Sequence, residues 1–246
     1  MRATVDFLGA GDAFNAAARC HASYLVRAPS ACFLLDCGPT ILLALKRASI
    51  DGNDIDAVFL SHLHGDHFAG VPFLLLSWVY ETRRQRPVTV VGPPGTEERV
   101  QTLYRTMYKE LASRPLPFEF RCIEVDPGER RQIGAVDLFP FRVPHQEKEI
   151  SLGLRCAVDG KTILYSGDTG WTEDLVTHSQ DTDLFICECC YYETRVDFHL
   201  DYPRLRENHR RFGCRRLVLT HSGAEVEARR AEIDLEVAHD GLVVEL

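Results

Sequence analysis

Four side chains able to ligate a transition metal fall within six residues of this chain, in Ser61-His62-Leu63-His64-Gly65-Asp66-His67. Three are imidazoles and one is a carboxylate, while only seven of the ten histidines lie elsewhere in the 246 residues. Neutral imidazoles gathered around a carboxylate suit a divalent transition metal. Ligands sharing a helix face sit three or four residues apart. The two-residue step from His62 to His64 therefore predicts an extended segment or a tight loop. Gly65 allows a sharp turn after it, so that Asp66 and His67 can face a second ion beside the first. A solvated histidine-rich loop is the competing reading, and the apolar run just before the cluster argues against it.

That run, Asp56-Ala57-Val58-Phe59-Leu60-Ser61, reads as a short buried strand. The cluster then begins where a strand ends. Apolar runs and alternation predict strands at 4–7, 32–36, 57–60, 88–91, 118–125, 136–143, 152–158, 162–166, 183–187 and 216–220. Helices are predicted at 39–48, 72–84, 96–113, 172–179, 202–212 and 224–233, with Pro39 and Pro72 near helix starts. Strands come in runs with helices between the runs, an order that predicts antiparallel or mixed sheets with helices on the outer faces. Length and the lack of a linker-like tract predict one domain over 1–246.

His62-x-His64-x-Asp66-His67 resembles the signature of the metallo-β-lactamase superfamily of metal-dependent hydrolases. Three more positions fit its order: His145 after Arg142-Val143-Pro144, Asp168 after Tyr165-Ser166-Gly167, and His221 after Leu217-Val218-Leu219-Thr220. The resemblance runs from Leu8-Gly9-Ala10-Gly11 to His221. It implies an α+β fold, a four-layer αββα sandwich of two mixed sheets with the metal site at one edge. It also implies that His62, His64 and His145 hold one metal, that Asp66, His67 and His221 hold a second, and that Asp168 bridges them beside a hydroxide. Two divalent ions of this kind can generate that hydroxide near neutral pH. The nitrogen and oxygen ligand set suits zinc best and also admits manganese or iron. Asp36, in Leu34-Leu35-Asp36-Cys37-Gly38, matches a position that orients a ligand imidazole; its alternative is a turn-forming Asp before Gly38.

Within the superfamily, the chain is similar to the ribonuclease Z group. Glu188 follows a predicted strand, and His199 lies between Asp168 and His221, where the resemblance implies a proton donor to the leaving group oriented by the carboxylate. Asp66, Glu188 and His199 are thus the candidate catalytic residues. The group's tRNA-gripping arm lies between the third histidine and the bridging Asp, and the 23 residues from His145 to Asp168 leave no room for it. The expected activity is hydrolysis of small or cyclic phosphodiesters. A lactonase, thioesterase or lactamase on the same metals is an alternative, as is a tRNA 3′-processing-like endoribonuclease. The segment 78–118 is expected to form a lid, with Tyr80, Arg83, Tyr104 and Tyr108 over the substrate.

Composition narrows the partners. A net charge of −8 opposes non-specific polyanion binding, so no stable nucleic-acid complex is expected. The run Arg204, Arg206, Arg210, Arg211, Arg215, Arg216 is the best candidate for phosphate contact. No apolar run nears the roughly 20 residues of a membrane span, and Asp6 and Asp12 flank too short a stretch for a signal peptide. Cytoplasmic residence is expected, and a homodimer stays open. The nine cysteines read as reduced and mostly buried, with Cys187, Cys189 and Cys190 packing in the core rather than binding metal.

Overall fold

The computed structural model describes residues 2–246. Its strands are β1 (Thr4–Gly9), β2 (Ser23–Ala28), β3 (Ala31–Leu35), β4 (Ala57–Phe59), β5 (Val88–Gly92), β6 (Phe120–Glu124), β7 (Arg131–Ile133), β8 (Val136–Arg142), β9 (Leu152–Val158), β10 (Lys161–Tyr165), β11 (Leu184–Glu188), β12 (Leu217–Thr220) and β13 (Leu242–Glu245). They form a seven-stranded sheet in the order β13-β1-β2-β3-β4-β5-β6 and a six-stranded sheet in the order β12-β11-β10-β9-β8-β7. The run β3 to β6 is parallel, as is β10 to β12. The remaining pairings are antiparallel, so both sheets are mixed.

Alternation along the strands separates three apolar layers. In β3, Phe33 and Leu35 point to the space between the sheets, where they meet Leu154, Ile163 and Ile186 of the second sheet. Leu34 points the other way, as the pleat requires, into a layer shared with helices α1 (Ile41–Ala48), α3 (Val71–Tyr80) and α4 (Thr96–Met107). The outer face of the second sheet, with Leu164, Phe185 and Leu219, packs on α6 (Glu173–Ser179), α7 (Tyr202–Asn208) and α8 (Ala224–Ala228). Two short pieces complete the helices, α2 (Gly65–Phe68) and α5 (Lys109–Ala112). This is the expected four-layer αββα arrangement. No helix among the described residues is long and apolar enough to cross a membrane.

Three strands escaped the sequence reading. Arg131–Ile133 is an exposed three-residue edge that exists only through its hairpin with β8. Leu242–Glu245 is defined by pairing with β1, more than 230 residues away. Ser23–Ala28 is buried between β1 and β3, and its polar Ser23 and Arg27 mask the pattern. The predicted 96–113 helix is two helices, because Tyr108 leaves helical geometry at φ −134°. The predicted 202–212 helix tightens into a 3-10 turn over His209–Arg211.

Candidate metal centre

The parallel runs of both sheets end at the same edge, and the candidate ligands sit just past those ends. This is where open parallel sheets commonly present their functional groups. After β4, the Leu60 amide still donates to Val91 O at 2.7 Å, and the chain then turns into His62. His64 is the N-cap of α2, so Asp66 and His67 lie on a single helical turn. His145 follows β8, Asp168 follows β10 and His221 follows β12. Gly167 makes the turn into Asp168 at φ +59°, where a Cβ would come within 2.7 Å of Leu152 O and 2.9 Å of the Ser61 Cβ. Asp36 and His221 hold the left-handed region at φ 57° and 52°, a conformation uncommon for non-glycine residues and most often taken by Asn, Asp and His.

All seven sequence-identified ligand candidates converge. Ligand atoms of His62, His64 and His145 lie within 4.8 Å of one another, as do those of Asp66, His67, Asp168 and His221. Asp168 Oδ2 stands between the groups, 3.9 Å from the Nε2 atoms of His62 and His145, 3.3 Å from His67 Nε2 and 3.4 Å from His221 Nε2.

Hydrogen bonds away from the cluster set the tautomers. His67 Nδ1 donates to Asp36 Oδ2 at 2.7 Å and His145 Nδ1 to Phe198 O at 2.9 Å. Ser61 Oγ gives its proton to Asp36 Oδ2 and so accepts from His62 Nδ1 at 3.0 Å. With each Nδ1 committed in this way, a neutral ring at these three positions turns the lone pair of Nε2 inward. The Gln146 amide sits 2.7 Å from His64 Nε2, while His64 Nδ1 faces His145 Nε2 at 3.0 Å.

These residues fit a metal pair. The Nε2 atoms of His62 and His67 and Oδ1 of Asp168 are buried without a hydrogen-bond partner, a state that polar atoms avoid unless something else satisfies them. The electrostatics agree. Burial opposes charge on both carboxylates, yet the surrounding imidazoles hold Asp66 and Asp168 well below the usual carboxylate range. Burial likewise opposes protonation of His67 and His221, and the carboxylates override it and hold both well above the ordinary imidazole range. Two ionised carboxylates at this depth demand positive charge among them; protonated His67 and His221 supply it in the absence of an ion, and divalent cations would supply it in their place with the imidazoles neutral.

Asp36 anchors this network. Its carboxylate accepts from Ser61 N at 2.7 Å, Ser61 Oγ at 2.7 Å, His67 Nδ1 at 2.7 Å and Tyr165 Oη at 2.6 Å. The expectation that it orients an imidazole matches this placement. Asp36→Asn turns one acceptor into a donor that faces other donors. Metal affinity is expected to fall about 10- to 100-fold, read by competition with a chromophoric chelator; unchanged affinity would remove Asp36 from this role.

Glu188, at the end of β11, is fully buried and accepts from Thr169 N at 2.6 Å and Leu200 N at 3.2 Å. It also accepts from His199 Nδ1 at 2.8 Å. Burial lowers the His199 pKa, but the charge and hydrogen bond of Glu188 outweigh it and raise the pKa above the ordinary value. The segment carrying His199 is pressed against the strand end: a Cβ at Gly170 would lie 1.8 Å from Asp197 O. His199 thereby joins His145 and Asp168 within 4.8 Å.

The cluster forms the floor of a cleft of about 640 Å³ whose walls include Phe14, Gln146, Lys148, Cys190, Tyr191 and Phe198. Three expectations are corrected here. Segment 78–118 contributes β5 to the first sheet and lays α4 and α5 on its outer face, with Trp78 fully buried and Tyr104 in the core, and none of it lines the cleft. The arginine run does not reach the site; Arg204, Arg211, Arg215 and Arg216 pair with Asp201, Glu173, Asp183 and Glu236. Cys187 and Cys189 pack in the core as expected, but Cys190 lines the cleft, its Sγ within 4.8 Å of His199 and His221 nitrogens. The signal was available: Cys190 shares the parity of Glu188, and Cys187 and Cys189 the opposite one. Tyr165, Thr169 and Gln146 were missed as supporting residues, because their partners are distant in sequence.

Comparison with known proteins agrees with this geometry. The family model described as anti-Pycsar protein Apyc1 matches residues 3–236. A ribonuclease Z of Agathobacter rectalis is 29% identical over 240 residues, 76% of this chain and 77% of that protein. Among solved structures, the metallo-β-lactamase fold protein YhfI of Bacillus subtilis superposes with a TM-score of 0.79 at 22% identity, covering 99% of both chains. A diphosphatase of the PhnP family superposes with a TM-score of 0.78 at 20% identity, covering 100% of this chain and 98% of the other.

Proposed function

We propose, from the premise that this chain belongs to the Apyc1 family of anti-Pycsar proteins and is a metal-dependent hydrolase of the metallo-β-lactamase fold, that it hydrolyses small phosphodiesters, cyclic nucleotides foremost. The observation that carries this reading is the Glu188–His199 pair beside the metal cluster. A thioester expels a thiolate, which leaves without a proton, whereas an alkyl phosphodiester expels an alkoxide, which leaves far more readily once protonated. A buried carboxylate holding an imidazole above its ordinary pKa is an acid suited to that harder task.

In this reading His62, His64 and His145 would hold one divalent ion and Asp66, His67 and His221 the second, with Asp168 serving both. Zinc suits these donors best, with manganese or iron admitted. When bound, the ions supply Lewis acidity toward the phosphoryl oxygens and lower the pKa of water near neutral. The chain's own groups do the rest. Asp36 and Phe198 O fix which nitrogens of His67 and His145 face the cluster. Glu188 holds Nδ1 of His199, which leaves Nε2 to deliver a proton to the departing oxygen.

A tRNA substrate is disfavoured by the hairpin between His145 and Asp168. β9 and β10 are joined there by the two residues Asp159 and Gly160, and only residues 146–151 separate His145 from β9, which leaves no length for a gripping arm.

The test is a substrate panel on protein of measured metal content. Cyclic nucleotides and linear diesters are expected to exceed lactones and thioesters in kcat/KM by at least about tenfold. A chelator should abolish turnover, and zinc or manganese should restore it. A lactone or thioester cleaved faster than every diester would overturn the reading in favour of carbon-centred hydrolysis.

A further inference from the structure

Among the described residues, five large hydrophobic side chains are exposed: Phe14, Leu43, Tyr80, Phe198 and Val243. Two of them, Phe14 at 88% and Phe198 at 48% exposure, line the one cleft that holds the metal cluster. Exposed rings contribute little to the chain's own core, so their shared location calls for a function.

Phe14 is held in place by a built loop. Asp12 Oδ1 accepts from Phe14 N at 3.2 Å and Ala16 N at 2.9 Å. Asn15, Ala17 and Ala18 all hold positive φ, a concentration of backbone strain that persists only where the surroundings enforce it. Arg19 closes the loop with a two-point contact to Glu227 at 2.6 and 2.9 Å. The loop root is tied to the strand end carrying His221, through Ser222 N to Ala10 O at 3.1 Å. Phe198 is set from the other group of ligands, its carbonyl accepting from His145 Nδ1 and its ring 5.4 Å from that of His199. One ring therefore rises from the His221 side of the cluster and the other from the His145 side.

We propose that Phe14 and Phe198 are the specificity-determining walls of the cleft, which receive the nucleobase of the substrate by stacking while the phosphodiester sits on the metal cluster. This rests on the phosphodiesterase reading above. Stacking tolerates any base, since every base presents a π-face. The cleft thus selects a nucleotide over a bare diester and discriminates weakly among bases.

The experiment compares a nucleoside 3′,5′-cyclic phosphate with the methyl riboside 3′,5′-cyclic phosphate, which lacks a base, on the metal-loaded protein. The ratio of their kcat/KM values is expected to fall roughly tenfold in Phe14→Ala and in Phe198→Ala, chiefly through KM for the nucleotide. Phe14→Trp should keep the ratio, while Phe14→Leu, apolar but without a π-face, should lose it. Equilibrium binding of the nucleoside monophosphate against ribose phosphate is measured alongside and should show the same pattern. Ratios unchanged by all the substitutions would overturn the proposal. So would a Phe14→Ala effect confined to oligomeric state, which assigns the ring to a protein interface. If the wild type hydrolyses neither cyclic phosphate, the phosphodiesterase reading fails, and the binding ratio alone decides whether the rings hold a base.

Discussion

Asp168→Ala is expected to lower kcat on every substrate by about a thousandfold and to reduce bound metal from about two ions per chain to one or fewer. Asp168 presents a single oxygen within 4 Å of imidazoles from both ligand groups, facing His62, His67, His145 and His221. Its removal leaves four inward-facing nitrogens without the anion between them, and several kcal/mol of charge stabilisation go with it. Metal analysis of the purified variant, read beside kcat, checks both halves of the expectation. Full metal content with wild-type kcat would show that Asp168 does not hold the pair.

His199→Ala is expected to separate substrates by leaving group. A p-nitrophenyl diester expels a stable anion, so its turnover should fall less than about tenfold. A cyclic nucleotide expels an alkoxide, which needs a proton, and its turnover should fall by about 10²- to 10⁴-fold. An equal loss on both substrates, or no loss on either, would show that His199 is not the acid. The pH profile gives a second readout. A general acid works in its protonated form, so activity is present below its pKa and lost as pH rises through it. Glu188 raises that pKa against the opposing effect of burial. Glu188→Gln should therefore move the alkaline limb of kcat for the cyclic nucleotide to lower pH, and a limb that stays in place would separate the carboxylate from the acid.

These two residues stood out differently in the sequence. The cluster from His62 to His67 is legible because its ligands are local: spacing and the preceding apolar strand limit what the segment can be. His145, Asp168 and His221 become legible once a family pattern supplies their order, since each closes an apolar run. Glu188 and His199 were visible by position alone, and their hydrogen bond lies across a fold of the chain that no local pattern reports.

The misreadings share a cause. The arginine run and the 78–118 insertion were judged by composition, which does not record where a surface faces. Arg204, Arg211, Arg215 and Arg216 point to nearby acids, and the insertion packs Trp78, Tyr104, Tyr108 and Phe118 on the outer face of the first sheet. Cys190 was grouped with its neighbours although the strand's two-residue period sends it to the opposite face.

By itself the sequence pointed to a divalent-metal site and to mixed sheets with outer helices, because spacing and periodicity are local properties, while the layered α+β fold and the place of a long arm came from the family resemblance. Only the tertiary structure decided which nitrogen each imidazole turns inward, that Tyr165 steadies Asp36 from 129 residues away, and that Phe14 and Phe198 rise on two sides of the same cluster. Those outcomes depend on how the ends of two parallel strand runs meet at one edge, a long-range coincidence that no segment of the chain encodes alone.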